Sequence, residues 1–423
     1  MNPAALEQIV HAVLYEGYIL YPYRPSSSKN RRERFTFGRI YPRVYSVAQK
    51  GAEPCVLQTE CLVQTRGPAA SVSISARFLQ PMARESMGET WHEAVERTIN
   101  APPLPLAEAT TRTSMFLFPG SCEAEPVRRD TLLVGMAVRR QEPVEGTLSV
   151  SATPLGHGLF RISVRIENNS RLDATEINDP AALLLRLFAS THVVLQADQA
   201  DFISLMDPPA ALKEAAAACQ NIGVWPVLAG DEAKGERDTM LCSPIILYDY
   251  PKIAAESAGN LFDGTEIDEI LTLRILTMTD AEKSEMRRVD EQARRLLERT
   301  ETLSTDALLK MHGTMRGAAP EAVEFDDFFG ANTKLAGVTV HGVWIKAGDR
   351  VRLRPKARAD AMDMMLAGQE AIVEAVEQDL EKRVHLAVVL ENDPGQDLGW
   401  MRQPGHRFFY GVDEVEPMTE ALA

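Results

Sequence analysis

Cysteine is scarce: Cys55, Cys61, Cys122, Cys219 and Cys242 are the only five in 423 residues. An odd, scattered set excludes a disulfide framework and suits a reducing compartment. Histidine is equally thin, and none of the eight lies within four residues of another, which excludes a local metal-ligand cluster. Long apolar runs are also missing. The longest, "AALLLRLFAS" and "SPIILYDY", fall well short of the ~20 residues that span a bilayer. The opening "MNPAALEQIVHAVLYEGY" carries Glu7 and His11 within its apolar pattern and does not read as a signal peptide. A cytoplasmic protein with no membrane span is expected. Positive charge is in deficit, 45 Lys and Arg against 60 Asp and Glu, for a net −15. That excludes a general grip on a phosphate backbone, whose affinity comes from cations displacing counterions. Also absent are a phosphate-binding glycine loop, a dinucleotide fingerprint, a nucleophile elbow and a zincin helix.

What remains is ordinary globular material, 45% hydrophobic and 25% charged, in a chain long enough for two or three domains. Helical spacing of Leu6, Ile9, Val10, Val13 and Leu14 predicts an amphipathic N-terminal helix. "CVLQTECLVQT" and "ASVSISARFLQ" predict two strands paired through "RGPA", and "TWHEAVERTI" predicts a helix followed by a proline-rich connection. From 112 to 170 the pattern is strands, with "PLGHG" a hairpin turn. Asn178 precedes a helix through "DPAALLLRLFAS", a second helix opens at Thr265, and "TDAE" is a capping box starting a third. The expectation is a mixed α+β fold. A β-rich body with several helices occupies 1–300, divisible near 100–110 or 170–180, and 301–340 is a linker. Over 341–418, short strands between "GDRVRLRP" and "EVEPM" resemble the small SH3-like barrels of KOW-type domains, which are usually binding or assembly modules.

Three features compete as sites. Cys55 and Cys61 are six apart, an even spacing that puts both on one strand face, yet two ligands make half a metal site and buried thiols are the plainer reading. The stretch "SPIILYDYPKIAAESAGNLFDGTEIDE" gathers Tyr248, Asp249, Tyr250, Asp263, Glu266, Asp268 and Glu269 around a strand end, a loop and a helix start. Clustered carboxylates there would serve a metal-assisted hydrolase, while caps and a hydrogen-bonded corner are the structural alternative. The third is "LYEGYILYPYRPSSSKNRRERFTFGRIYPR", which holds five of nine tyrosines in an acidic chain. Tyr21, Tyr23, Arg24, Lys29, Arg31, Arg32, Arg34, Tyr41 and Arg43 have the composition of a protein interface, or of a single-strand nucleic-acid platform over 24–43. A further option is that these cations pair with acids such as those at 263–269.

The blocks "LYEGYILYPYR", "NRRERFTFGRIYPR", "SPIILYDYP" and "LFDGTEIDEILTLRILTMTDAEK" resemble a bacterial family that accompanies nickel–iron hydrogenase genes. The resemblance implies an accessory role in assembly, maturation or scaffolding, with a hydrogenase subunit or maturation factor as partner. It supplies no catalytic residues. Poverty in Cys and His fits a chain without a metal or cofactor of its own. The sequence therefore leads to a non-enzymatic accessory protein, ahead of the hydrolase and nucleic-acid readings.

Overall fold

The computed structural model describes residues 3–86, 88–129, 132–254, 257, 259–264, 268–289, 291–304, 307, 333–355, 366–378, 382–391 and 407–418. The chain divides into two compact units. One comprises Met1–Ala254, Phe262–Gly264 and Glu285–Arg294; the other comprises Ala255–Leu261, Thr265–Ser284 and Arg295–Ala423.

The first unit opens with α1 (Pro3–Leu14), α2 (Ser28–Arg32) and α3 (Arg43–Ala48). Then come β1 (Val56–Thr65), β2 (Ser71–Ser86), β3 (Glu89–Pro105), β4 (Thr110–Phe118), β5 (Ser121–Arg129), β6 (Leu132–Gln141), β7 (Val144–Gly156) and β8 (Leu159–Asn168). α4 (Pro180–Leu184), β9 (Ala189–Asp198), β10 (Ala200–Ile203), α5 (Lys213–Ala217), β11 (Trp225–Leu228) and β12 (Thr239–Ser243) complete it. Two antiparallel sheets result. One runs β10-β1-β8-β7-β4; the other runs β11-β12-β9-β2-β6-β5, with β3 also on β2. Their inner faces share one core: Leu57, Cys61 and Val63 of β1 and Val150, Ile162 and Val164 of the first sheet meet Ile74, Phe78, Leu195 and Met240 of the second. Alternate residues face inward because a strand repeats every two residues, while β9 and β12 bury both rows. Outside the second sheet, α1 packs Leu6, Ile9, Val10 and Val13 on Val194, Val227 and Leu241. Outside the first, Ala216 of α5 sits over Leu62, Leu159 and Ile203.

Several expectations are corrected. β1 and β2 do not pair; β1 joins β8 and β10, while β2 joins β3, β6 and β9. The "RGPA" link therefore passes from one sheet to the other. The span 90–99 is strand, paired with β2 along Glu89–Pro105. Its period of two was disguised because the covered face carries charges. Glu93 on that face is matched by Arg139 at 2.8 Å, and Arg97 lies over Phe118 and donates to Gln80. α4 stops at Leu184, capped by Asp179, whose carboxylate accepts from Ala181 N at 2.9 Å, and the chain beyond it enters β9. The "PLGHG" hairpin is present between β7 and β8, with His157 and Gly158 at φ 52° and 74°.

Of the two cysteines six apart, only Cys61 is buried as the plainer reading expects. Cys61 faces the core and Cys55 precedes the strand, half-buried. Burial raises the Cys61 thiol well above its usual range and pushes Cys242 up to about 12, so both thiols are held protonated.

Of the second unit, α6 (Asp268–Leu276) is described; α7 (Asp280–Val289) and α8 (Glu291–Glu301) follow it in the chain. The expected start of α6 at Thr265 lies outside the described residues. The "TDAE" box is present: Glu282 N donates to Thr279 Oγ1 at 3.4 Å and Thr279 N to the Glu282 carboxylate at 2.9 Å. The C-terminal strands are β13 (Thr333–Leu335), β14 (Val338–Val340), β15 (Val343–Ile345), β16 (Arg350–Leu353), β17 (Glu370–Gln378), β18 (Val384–Leu390), β19 (Phe408–Gly411) and β20 (Val415–Pro417). Six of them run β19-β18-β17-β16-β20 with β13 beside β17, β14 and β15 pair only with each other, and among the described residues no pairing closes the sheet into a barrel. Val351, Leu353, Val373, Leu386, Val388 and Val415 form its core. Arg350, Arg352 and Arg354 share the other face of β16 and its continuation, paired with Glu391, Glu370 and Glu416 respectively.

Candidate partner-binding surface

The segment from Leu14 to Arg43 splits by burial. Tyr15, Tyr18, Ile19, Leu20 and Tyr23 are inside, with Tyr23 fully buried. Tyr15 and Tyr18 meet the Phe262 ring at 5.9 and 6.1 Å, and Tyr18 meets Phe35 edge-on at 5.7 Å. Tyr21, half-buried after the helix-to-loop transition, packs edge-on against Tyr23 at 6.0 Å. Tyr23, Phe35 and Phe262 hold left-handed backbone at φ 56°, 55° and 62°. For such bulky residues that conformation costs on the order of 1 kcal/mol each, and their burial offsets it.

Polar groups lock this core to the chain 240 residues later. Asp263, 1% exposed, accepts from the Lys29 ammonium at 2.8 Å and from Tyr21 N at 3.2 Å. Glu16 accepts from Gly264 N at 2.7 Å. Asn30, buried one residue after Lys29, accepts from Leu20 N at 2.8 Å and donates to Leu20 O and Arg24 O at 2.7 and 3.2 Å. Helix α2 thus presents Lys29 and Asn30 inward and Arg31 and Arg32 to solvent.

Arg34 is buried and not available to a partner. Its guanidinium donates to Tyr18 O and stacks over the Trp91 ring at 3.7 Å, with Phe35 at 4.7 Å and Tyr18 at 5.2 Å. A planar cation between aromatic faces is favourable in a desolvated site, which Lys does not reproduce. Arg34→Lys should lower stability by about 2 kcal/mol in urea denaturation, and Arg34→Met by more. Tyr41 is buried too, its hydroxyl accepting from Arg39 at 3.1 Å. Arg43 is exposed and pairs with Glu167 at 2.7 Å. On the surface this segment therefore offers Arg31, Arg32 and, from α3, Val44 and Val47, which are 43% and 69% exposed.

The acidic cluster disperses into structural tasks. Asp249 accepts from Leu228 N at 2.7 Å and from the Ser204 hydroxyl, and Tyr250 N donates to Leu228 O at 2.6 Å. Together they cap the end of β11. Tyr250 turns its ring onto the sandwich core, while Tyr248 is 80% exposed beside exposed Ile246. Asp263 belongs to the lock just described. Asp268 accepts from Ser257 Oγ at 2.9 Å, Glu269 is half-buried on α6, and Glu266 lies outside the described residues. No group of three or more His, Cys, Asp or Glu stands ready to hold a metal ion among the described residues. Nor is any described helix long and apolar enough to cross a membrane.

Sequence reasoning missed Trp91 and Glu16 as members of this assembly. Trp91 is far from Arg34 in the chain and reaches it only because β3 pairs with β2, so no local pattern announces it. Comparison with known protein families finds no match for the chain, and comparison with curated proteins finds none.

Proposed function

We propose that the chain is a non-enzymatic, cytoplasmic accessory protein that assists assembly, maturation or scaffolding of a nickel–iron hydrogenase by protein–protein contact. The class of partner rests on the resemblance of the four sequence blocks. The observation that carries the binding reading is the split of the Tyr/Arg segment: its tyrosines and Arg34 are spent on packing, while Arg31 and Arg32 stand outward from a rigid base. Arginine on a fixed backbone suits recognition of a carboxylate-bearing surface, because its planar fork loses little freedom on pairing. The candidate carboxylates support the same reading, since Asp249, Asp263 and Asp268 each hold a neighbouring backbone or side-chain group. The C-terminal strands act in this scheme as a second binding module of the SH3-like type.

The test is genetic. Deleting the gene in a host that carries the hydrogenase operon should abolish most hydrogenase activity, with restoration by the wild-type chain but not by Arg31→Glu/Arg32→Glu. Full activity in the deletion strain would overturn the reading.

A further inference from the structure

Sheet edges expose unpaired N–H and C=O groups, and proteins blunt them with short strands, charges, prolines, bulges or covering segments. Among the described residues, four of the five edges in the first unit are treated this way. β10 and β11 are four residues long, and β11 carries Pro226 and is capped by Asp249 and Tyr250. β5 holds Glu123, Glu125 and Pro126 and a register shift beside Val127. β3 holds Glu89, Glu93, Glu96, Arg97 and three prolines. Among the described residues β4 has the least of this protection: a single cation, Arg112, whose guanidinium donates to Pro103 O at 3.0 Å. Its nine residues, Thr110–Phe118, pair with β7 in unbroken register and have no other strand partner among the described residues. It contains no proline, no acid and one cation, Arg112.

β4 is also seated on the core by two aromatic rings, and a strand held in place costs less to use as a template. Phe116 and Phe118 point inward, 6.4 and 6.0 Å from Phe78, and Phe116 lies over Gly146 of β7. A Cβ at Gly146 would come within 2.5 Å of the Phe116 ring, so the glycine makes room for that seat. Outward, Met115 and Leu117 are 83% and 63% exposed.

We propose that β4 is a homodimer edge, pairing antiparallel with β4 of a second copy about a two-fold axis through Ser114. That register is charge-compatible although the chain as a whole is strongly acidic. Arg112 falls opposite Phe116 of the other copy, a cation against an aromatic; Thr113 falls opposite Met115 and Thr111 opposite Leu117. No like charges oppose each other, and the two five-stranded sheets become one continuous sheet.

Sedimentation of the full chain across micromolar concentrations is expected to give the mass of two copies. Thr113→Lys/Met115→Lys places lysine opposite lysine twice and is expected to weaken association at least tenfold. Thr113→Glu/Met115→Lys places glutamate opposite lysine twice and is expected to preserve it. In a Cys122→Ser background, Ser114→Cys should oxidise to a covalent dimer, because directly opposed residues have Cα atoms ~4.5–5.5 Å apart. A wild-type chain that stays monomeric overturns the proposal, whether β4 is left bare or covered by another part of the same chain. So does a dimer indifferent to the double lysine variant, or one lost equally in both charge variants.

Discussion

Lys29→Met is expected to destabilise the first unit by about 3 kcal/mol, measured as a shift in the urea midpoint at pH 7. The reason is asymmetric burial. Asp263 has no side-chain exposure while Lys29 retains 33%, so removing the ammonium takes a counter-charge 2.8 Å away from a carboxylate that does not reach water. Asp263→Asn should cost less, about 1.5 kcal/mol, because the amide oxygen still accepts from Tyr21 N and Lys29 still reaches solvent. The double variant should be little worse than Lys29→Met alone, since the two groups act on one interaction. Additive losses would mean that the pair does not act as a unit. The consequence reaches the surface: Lys29 and the exposed Arg31 and Arg32 share α2, so loosening the lock should also weaken partner capture.

Acid should unfold the same unit early, and His192 is a main cause. It lies fully buried on β9 opposite Arg77, on the sheet face that α1 covers, and Arg77 in turn pairs with Glu7 of α1 at 2.5 Å. Nδ1 lies 2.8 Å from Ser190 O, and Nε2 has no hydrogen-bond partner among the described residues. Burial, with Arg77 alongside, lowers its pKa from the ordinary 6.5 to about 4, and the hydrogen bond to Ser190 O and the Glu7 charge oppose that only in part. His92 is likewise lowered to about 4, by burial and by Arg34. A depressed value means that the unfolded chain takes up the proton first. Stability is therefore intact above pH 6.5 and falls as the pH drops towards 4, by about 1.4 kcal/mol per unit for each fully buried group. For His192 alone the total approaches about 3 kcal/mol. Denaturation midpoints at pH 7, 6, 5 and 4.5 should show this slope, and His192→Leu should flatten it. Parallel curves for the two proteins would contradict the assignment.

Much of the architecture is readable from local pattern, and the failures have physical causes. β7 and β8 announce themselves because their polar faces meet solvent and their apolar faces meet the core. β3 hides because Glu93 and Arg97 occupy its covered face, where Arg139 and Phe118 accommodate them. Strand identity was also easier to read than strand partnership: nothing local says that β1 and β2 lie in opposite sheets. In the candidate surface, the concentration of Tyr and Arg was visible, but which arginines face outward was not. Arg34 looks like Arg31 and Arg32 in sequence, and only the arrival of Trp91 and Tyr18 distinguishes it. The pairing of the segment's cations with the 263–269 acids was open in the sequence, and the Lys29–Asp263 contact realises it at one position.

The proposed partner binding runs through the exposed cations of a segment whose tyrosines are largely core. The direct measurement is affinity capture with the wild-type chain and with Arg31→Glu/Arg32→Glu from cells expressing the nickel–iron hydrogenase operon, with both chains shown to be equally stable. The wild-type chain is expected to recover a hydrogenase subunit or maturation factor, and the variant at least tenfold less. Recovery of no hydrogenase-related polypeptide, or equal recovery by both chains, would contradict it.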